Sequence, residues 1–396
     1  MSPYSVGPWA RLLAILAVFG TALTVVSGAA EWGTAHQVLA GLALPPLVGL
    51  ALLAWPSARP LFPSAAAAVV LFGVAALLTQ PVVHLAAASL AFAAAAYVAA
   101  QSWRRRTALT GEPSDYVTLT KPRVMSLLLL TGGAAVFVGA SGVPEVGLFV
   151  VTMAGLALAC GGAAALNHYL DRDIDRLMGE RTAGRPVAAG RVAPEHALEF
   201  GIALSALSFV LLDVLVNLPA ALLALAGNLF YVFVYTRWLK RSTPQNIVIG
   251  GAAGAMPPLV GYAAATGDLG WAALAMFGIV FLWTPPHFWA LALMIRDHYA
   301  NARIPMLPVV RGDRETARQI VWYTLLMIAA TLVPVAFGVF GLLYLAAAIA
   351  LGAVFAWLTW KLWRELTRPR AVALFHYSLL YLALLFVAMA ADAGVA

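Results

Sequence analysis

The stretch Asn167-His-Tyr-Leu-Asp171-Arg-Asp173-Ile-Asp175-Arg176 closes an apolar run that begins near residue 146. A membrane-crossing helix needs roughly 20 mostly apolar residues. The run over 146–168 supplies them and then stops in carboxylates. If the helix continues, Asn167, Asp171 and Asp175, spaced by four, lie along one face. The stretch therefore reads as the point where a membrane helix meets water.

The whole chain repeats that alternation. Of its 396 residues 63% are hydrophobic and 10% charged, and its mean hydropathy is +0.89. A soluble domain is about a quarter charged, so soluble domains are excluded. Period-2 alternation is absent, which excludes a membrane barrel. Lipid cannot satisfy a bare backbone, so the spans must be helices. A single cysteine, Cys160, excludes an intrachain disulfide and a cysteine metal cluster. The fold class is thus an all-α integral membrane protein.

Thirteen spans can be counted: 9–28, 38–55, 62–79, 84–102, 122–141, 146–168, 196–213, 218–236, 246–265, 270–293, 320–339, 342–361 and 373–391. With that count all 24 lysines and arginines fall on one side. The positive-inside rule makes that side cytoplasmic. The N-terminus is then inside and the C-terminus outside, in a bacterial plasma membrane. The first span reads as a retained helix, not a signal peptide. The net charge of +7 becomes a topology signal, and nucleic acid is not an expected partner. Residues 104–115 break the apolar pattern and read as a cytoplasmic linker. They separate a four-helix block, 1–103, from a nine-helix block, 116–396. Pro257–Pro258 and Pro285–Pro286 are expected to kink or interrupt their spans, as helices lining a cavity often do.

Three oxygen-bearing side chains in a stripe suit a hard cation such as Mg²⁺, which typically bridges to phosphate through one or two carboxylates. The plainer reading is a solvated, salt-bridged helix end. Like-charged carboxylates four apart repel, however, and unneutralised ones at a membrane edge are costly. Asp173 points elsewhere and is expected to pair with Arg172, Arg176 or Arg181. A second acidic centre, Arg296-Asp297-His298-Tyr299, follows span ten on the same side. Two such centres holding Mg²⁺ suit a diphosphate. Lys121, Arg123, Arg185, Lys240, Arg296 and Arg303 are candidates to balance its charge, although each alone also serves as a positive-inside anchor. His287 follows a Pro-Pro pair inside span ten, and an intramembrane ionisable residue is a functional candidate. Its simpler role is to cap carbonyls freed by the prolines. Phe281, Trp283, Phe288 and Trp289 are candidate cavity-lining residues or plain packing. His168 is expected to stand behind the ligand stripe or outside it.

Several stretches resemble the UbiA-type intramembrane prenyltransferases, and within them the heme O synthases. They are Thr120-Lys-Pro-Arg-Val124, Asn167 to Asp175 with Arg181-Thr-Ala-Gly-Arg-Pro186, and Tyr235 to Gly250. Gly251-Ala-Ala-Gly-Ala-Met-Pro-Pro-Leu-Val-Gly261 and Trp283-Thr-Pro-Pro-His-Phe-Trp-Ala-Leu291 agree, as does Ile304-Pro-Met-Leu-Pro308. The resemblance covers 116–396 and implies a nine-helix bundle. It also implies a farnesyl diphosphate donor, a heme B acceptor and Mg²⁺. On it, Asn167, Asp171, Asp175 and Asp297 would be the catalytic metal-binding residues. Lys121, Arg123, Arg185, Lys240 and Arg296 would bind diphosphate, and His287 would meet the heme. The second centre departs from the family's Lys-Asp-Asp-Tyr pattern. Residues 9–102 resemble half of a heme A synthase through His36-Gln-Val-Leu-Ala-Gly and Val83-His-Leu-Ala-Ala-Ala. That makes His36 and His84 candidate heme ligands and a heme A synthase a candidate partner. The rival readings are a transferase acting on a quinone ring or other lipid, and a cation-coupled transporter. Transporter carboxylates belong near the bilayer midplane, whereas these lie at its edge among arginines.

Overall fold

The structure, a computed structural model, describes residues 111–395 and, before them, Val69 alone. The first four expected spans, His36 and His84 lie outside the described residues. The described region belongs to the second of two units into which the chain divides, Leu109–Ala396. Among the described residues nine helices are long and apolar enough to cross a membrane, and there is no β-sheet.

A short helix, α1 (Pro113–Leu119), leads into α2 (Pro122–Gly139) and α3 (Val146–Leu170). The segments α4 (Arg172–Leu177) and α5 (Glu180–Ala183) follow at the end of α3. Then come α6 (Pro194–Leu215), α7 (Leu218–Leu229), a π-helical segment (Phe230–Leu239) and the one-turn α8 (Lys240–Ser242). Two half-length helices, α9 (Asn246–Gly254) and α10 (Met256–Thr266), share one crossing. The rest are α11 (Trp271–Met294), α12 (Arg296–Asn301), α13 (Leu307–Ala336), α14 (Leu342–Arg364) and α15 (Arg368–Ala393).

Small residues set the helix contacts. A methyl on Gly261 of α10 would strike the Gly132 carbonyl of α2, and one on Gly162 of α3 would lie 2.8 Å from the Gly201 carbonyl of α6. Without a hydrophobic drive between helices in lipid, such close approach is what holds them. Large apolar side chains point outward instead, including Phe233, Trp238, Trp271, Trp322 and Phe337, which suits lipid as the solvent.

The two proline pairs behave differently. Pro257 and Pro258 sit in the first turn of α10, where a missing N–H costs nothing, and the crossing is interrupted just before them at Ala255. Pro285 and Pro286 lie inside α11, which runs on without a break; of the expected kink or interruption, the interruption is not found. Thr284 donates to the Val280 carbonyl at 2.8 Å beside them. The charged stretch 311–318, outside the expected span 320–339, belongs to α13, which kinks at Gly312 (φ 79°, ψ 169°).

Candidate functional site

Helix α3 ends at Leu170, but the chain keeps the helical register through its carboxylates. The Asp171 N–H donates to the Asn167 carbonyl and the Asp175 N–H to the Asp171 carbonyl, each at 2.8 Å. The stripe at four-residue spacing is therefore real. All three of its side chains are buried, Asp171 completely.

Cations from three other segments converge on it. Lys121 Nζ donates to Asn167 Oδ1 at 2.6 Å, and Lys240 Nζ to Asp171 Oδ2 at 2.5 Å. Asn167 Nδ2 donates to Asp171 Oδ2 at 2.8 Å and to Thr236 Oγ1 at 3.1 Å. Arg185 pairs with Asp175 Oδ1 at 2.7 Å, and Thr182 anchors that loop by donating to the Asp175 carbonyl at 2.7 Å.

Local backbone chemistry explains the positions. Lys121 precedes Pro122, which steers it away from the right-handed helical region, and it adopts a left-handed conformation at φ 52°. Such strain in a non-glycine residue is typical of functional sites. The π-helical segment carries Thr236 inward and delivers Lys240 and Arg241 at its end. Burial pushes the Lys121 ammonium down to about 7, reinforced by the positive charge of Arg185 and opposed by Asp171. Burial also raises Asp175, against the pull of Arg185.

Two oxygens remain unused. Asp171 Oδ1 and Asp175 Oδ2 are buried without a hydrogen-bond partner. Buried carboxylate oxygens are costly when unpaired, and hard oxygen donors on one stripe are what Mg²⁺ takes. The donor set fits a divalent cation, and it brings together six sequence candidates: Asn167, Asp171, Asp175, Lys121, Arg185 and Lys240.

The other candidates are placed differently. Arg123 and Asp297 are exposed. Arg296 pairs with Asp313 at 3.3 Å, both about half exposed. No described bond links these three to the buried cluster. Asp173 does not take the expected Arg172 or Arg176 as its partner; it meets Arg241, at 2.7 and 2.8 Å. His168 is buried, with both ring nitrogens unpartnered. Thr236 and Arg241 were not among the sequence candidates. Arg241 adjoins Lys240 in the motif, but the π-helical geometry that aims both has no pattern in sequence.

His287 lies elsewhere, between α11 and α15. Its ring stacks on Trp283, centroids 4.4 Å apart, and on Phe375 at 4.8 Å. Ser378 Oγ donates its only proton to the Phe375 carbonyl at 2.6 Å. His287 Nδ1, 2.6 Å from that Oγ, must therefore be the donor in their bond, which leaves Nε2 as an acceptor. Trp283 Nε1 fixes the same serine by donating to its carbonyl at 2.8 Å. Phe281 stacks on Phe277 and Phe288 meets His287 edge-on, whereas Trp289 is packed against Tyr323.

Nine membrane-length helices among the described residues, with a cluster of charged side chains buried where α3 ends, define a class: a multi-pass membrane protein built around a polar site. Its sequence places it further. Residues 127–388 match the UbiA prenyltransferase family, and the chain belongs to that family. A protein named protoheme IX farnesyltransferase from Symbiobacterium thermophilum is 56% identical over 280 residues, 70% of this chain and 93% of that relative. One of the same name from a Roseiflexus species is 53% identical over 300 residues, 75% of this chain. The chain spans 56% of that longer relative's length. A UbiA homologue from Archaeoglobus fulgidus, described as bound to GPP and Mg²⁺, shares the fold. It has a TM-score of 0.53 at 18% identity and covers 69% of this chain and 99% of its own.

Proposed function

We propose that the chain transfers the farnesyl group of farnesyl diphosphate to a vinyl group of heme B. Water adds in the same overall reaction, giving heme O and diphosphate. One observation carries the reading: the buried stripe Asn167–Asp171–Asp175 is clamped by Lys121, Lys240 and Arg185, yet keeps two carboxylate oxygens free. The relatives' name supports the choice of donor and acceptor.

Asn167, Asp171 and Asp175 would hold Mg²⁺. When bound, the ion supplies charge stabilisation to the leaving diphosphate. The chain's own groups do the rest. Lys240 and Asn167 immobilise Asp171 through Oδ2, and Arg185 immobilises Asp175 through Oδ1. The three cations are preorganised where negative charge develops on the departing diphosphate. Asp297 remains the proposed second-centre carboxylate. Arg123 and Arg296 would need to turn inward from the positions they hold here.

His287 is the proposed contact to the heme acceptor. Its Nε2, held by the Ser378 contact, suits it to position the heme or a water by accepting a hydrogen bond. The aromatic walls around it would keep stray water from an allylic cation. We further propose that the site faces the cytoplasm, with the N-terminus inside and the C-terminus outside. In this reading residues 1–103 form a separate heme-holding block with ligands His36 and His84, and a heme A synthase consumes the product.

The test is incubation of membranes containing the protein with heme B and labelled farnesyl diphosphate, followed by pigment analysis. Label in a farnesylated heme is expected. Label in a quinone precursor, with none in heme, would overturn the acceptor assignment.

A further inference from the structure

Arg241 lies beside the free oxygen of Asp171 without using it. Its Nη2 stands 3.7 Å from Asp171 Oδ1, an oxygen that is buried and accepts no hydrogen bond. A guanidinium beside a buried carboxylate ordinarily closes to a bidentate pair, and the attraction strengthens away from water. Something holds this pair apart.

The donor count identifies it. Nη2 carries two hydrogens. One goes to Asp173 Oδ1 at 2.8 Å and the other to the Leu170 carbonyl at 2.7 Å. Nη1 donates to Asp173 Oδ2 at 2.7 Å. Nη2 is thus fully engaged by Asp173 and by the last carbonyl of α3, with no hydrogen left for Asp171. Asp173 faces outward, its side chain 61% exposed, so it is free to serve as a tether without entering the cluster.

We infer that Asp173 is a positioning residue. It holds Arg241 off Asp171 and so keeps Asp171 Oδ1 available to a divalent cation. The inference rests on the reading of Asp171 and Asp175 as cation ligands. Without the tether, one hydrogen on Nη2 is released and the gap to Oδ1 can close. The site would then neutralise itself with its own arginine.

The sign of the effect is unusual. Removing a carboxylate that does not touch the ion weakens cation binding, and removing the arginine as well restores it. A merely structural role for the Asp173–Arg241 pair predicts the opposite, since the double variant would be at least as damaged as the single.

The experiment titrates Mn²⁺ against purified full-length protein without substrate, reading free Mn²⁺ by electron paramagnetic resonance. It compares wild type with Asp173→Asn, Arg241→Gln and the double variant. Asp173→Asn should weaken Mn²⁺ binding about tenfold or more, the worth of one charge-assisted hydrogen bond. Arg241→Gln and the double variant should bind like wild type or tighter. Equal binding by wild type and Asp173→Asn would overturn the tether while leaving Asp171 and Asp175 as ligands. A double variant binding no more tightly than Asp173→Asn would also overturn it. No Mn²⁺ binding by wild type would remove the ligand reading and the tether together. Asp173→Glu, which keeps the charge, should bind like wild type, and a loss there as large as in Asp173→Asn would count against the tether.

Discussion

At the scale of single residues, the site is a set of carboxylate oxygens sorted by partner. Asp171 and Asp175 each spend one oxygen on a cation and keep one free. Asp171→Ala or Asp175→Ala should therefore lower farnesyl transfer by about 100-fold or more while the protein still inserts. The measurement is heme O formed per milligram of protein in isolated membranes. Lys240→Met leaves Asp171 buried beside fewer positive charges, and its loss should fall mainly on the KM for farnesyl diphosphate. Retained KM in that variant would separate Lys240 from the diphosphate. The stripe itself was legible in the sequence, because a spacing of four fixes a helix face whatever surrounds it. The partner of Asp173 was not legible. Arg241 lies 68 positions along the chain, and only the fold brings it nearer than Arg172 or Arg176.

At the scale of elements, loops and helix ends are fastened to keep those residues in place. Arg191 pairs with Asp115 of α1 at 2.9 Å and donates to the Gly184 carbonyl at 3.1 Å. This ties α1 to the loop that carries Arg185. The Arg191 hydrogen bond holds the Asp115 carboxyl below its usual range. A depressed carboxylate stabilises the fold above its unfolded pKa, near 4, and that contribution is lost as pH falls through the lower folded value. Asp115→Asn should cost about 1 kcal/mol near neutral pH, and that difference from wild type should shrink below about pH 4. Thermal unfolding of the purified protein at both pH values checks it. Between helices, Gly261→Ala would drive a methyl into the Gly132 carbonyl and should destabilise by about 1–3 kcal/mol. An unchanged melting temperature would show that α2 and α10 can separate at little cost. The nine span positions within the described residues were readable because lipid imposes length and hydropathy. The π-helical segment, the unbroken Pro285–Pro286 helix and the helical 311–318 stretch were not. Each depends on neighbouring helices that satisfy or displace backbone groups, and no local pattern encodes that.

At the scale of the whole molecule, the chain is a UbiA-family bundle in which, among the described residues, Asp171 and Asp175 are buried beside Lys121, Arg185 and Lys240 where α3 ends. The surplus of basic residues that orients such a protein is also the supply from which Lys121, Arg185 and Lys240 are drawn. The second acidic centre shows what motif spacing leaves open: it places Asp297 on the right side, but in this structure Asp297 stays exposed. The account stands on the buried cluster as the place where farnesyl diphosphate is opened. The most direct test is the yield of farnesylated heme from heme B and labelled farnesyl diphosphate. It is measured in membranes carrying wild type or Asp171→Ala, each with EDTA and then with excess Mg²⁺. The account predicts product from wild type only, stopped by EDTA and restored by Mg²⁺. Comparable product from Asp171→Ala, or turnover indifferent to EDTA, would contradict it.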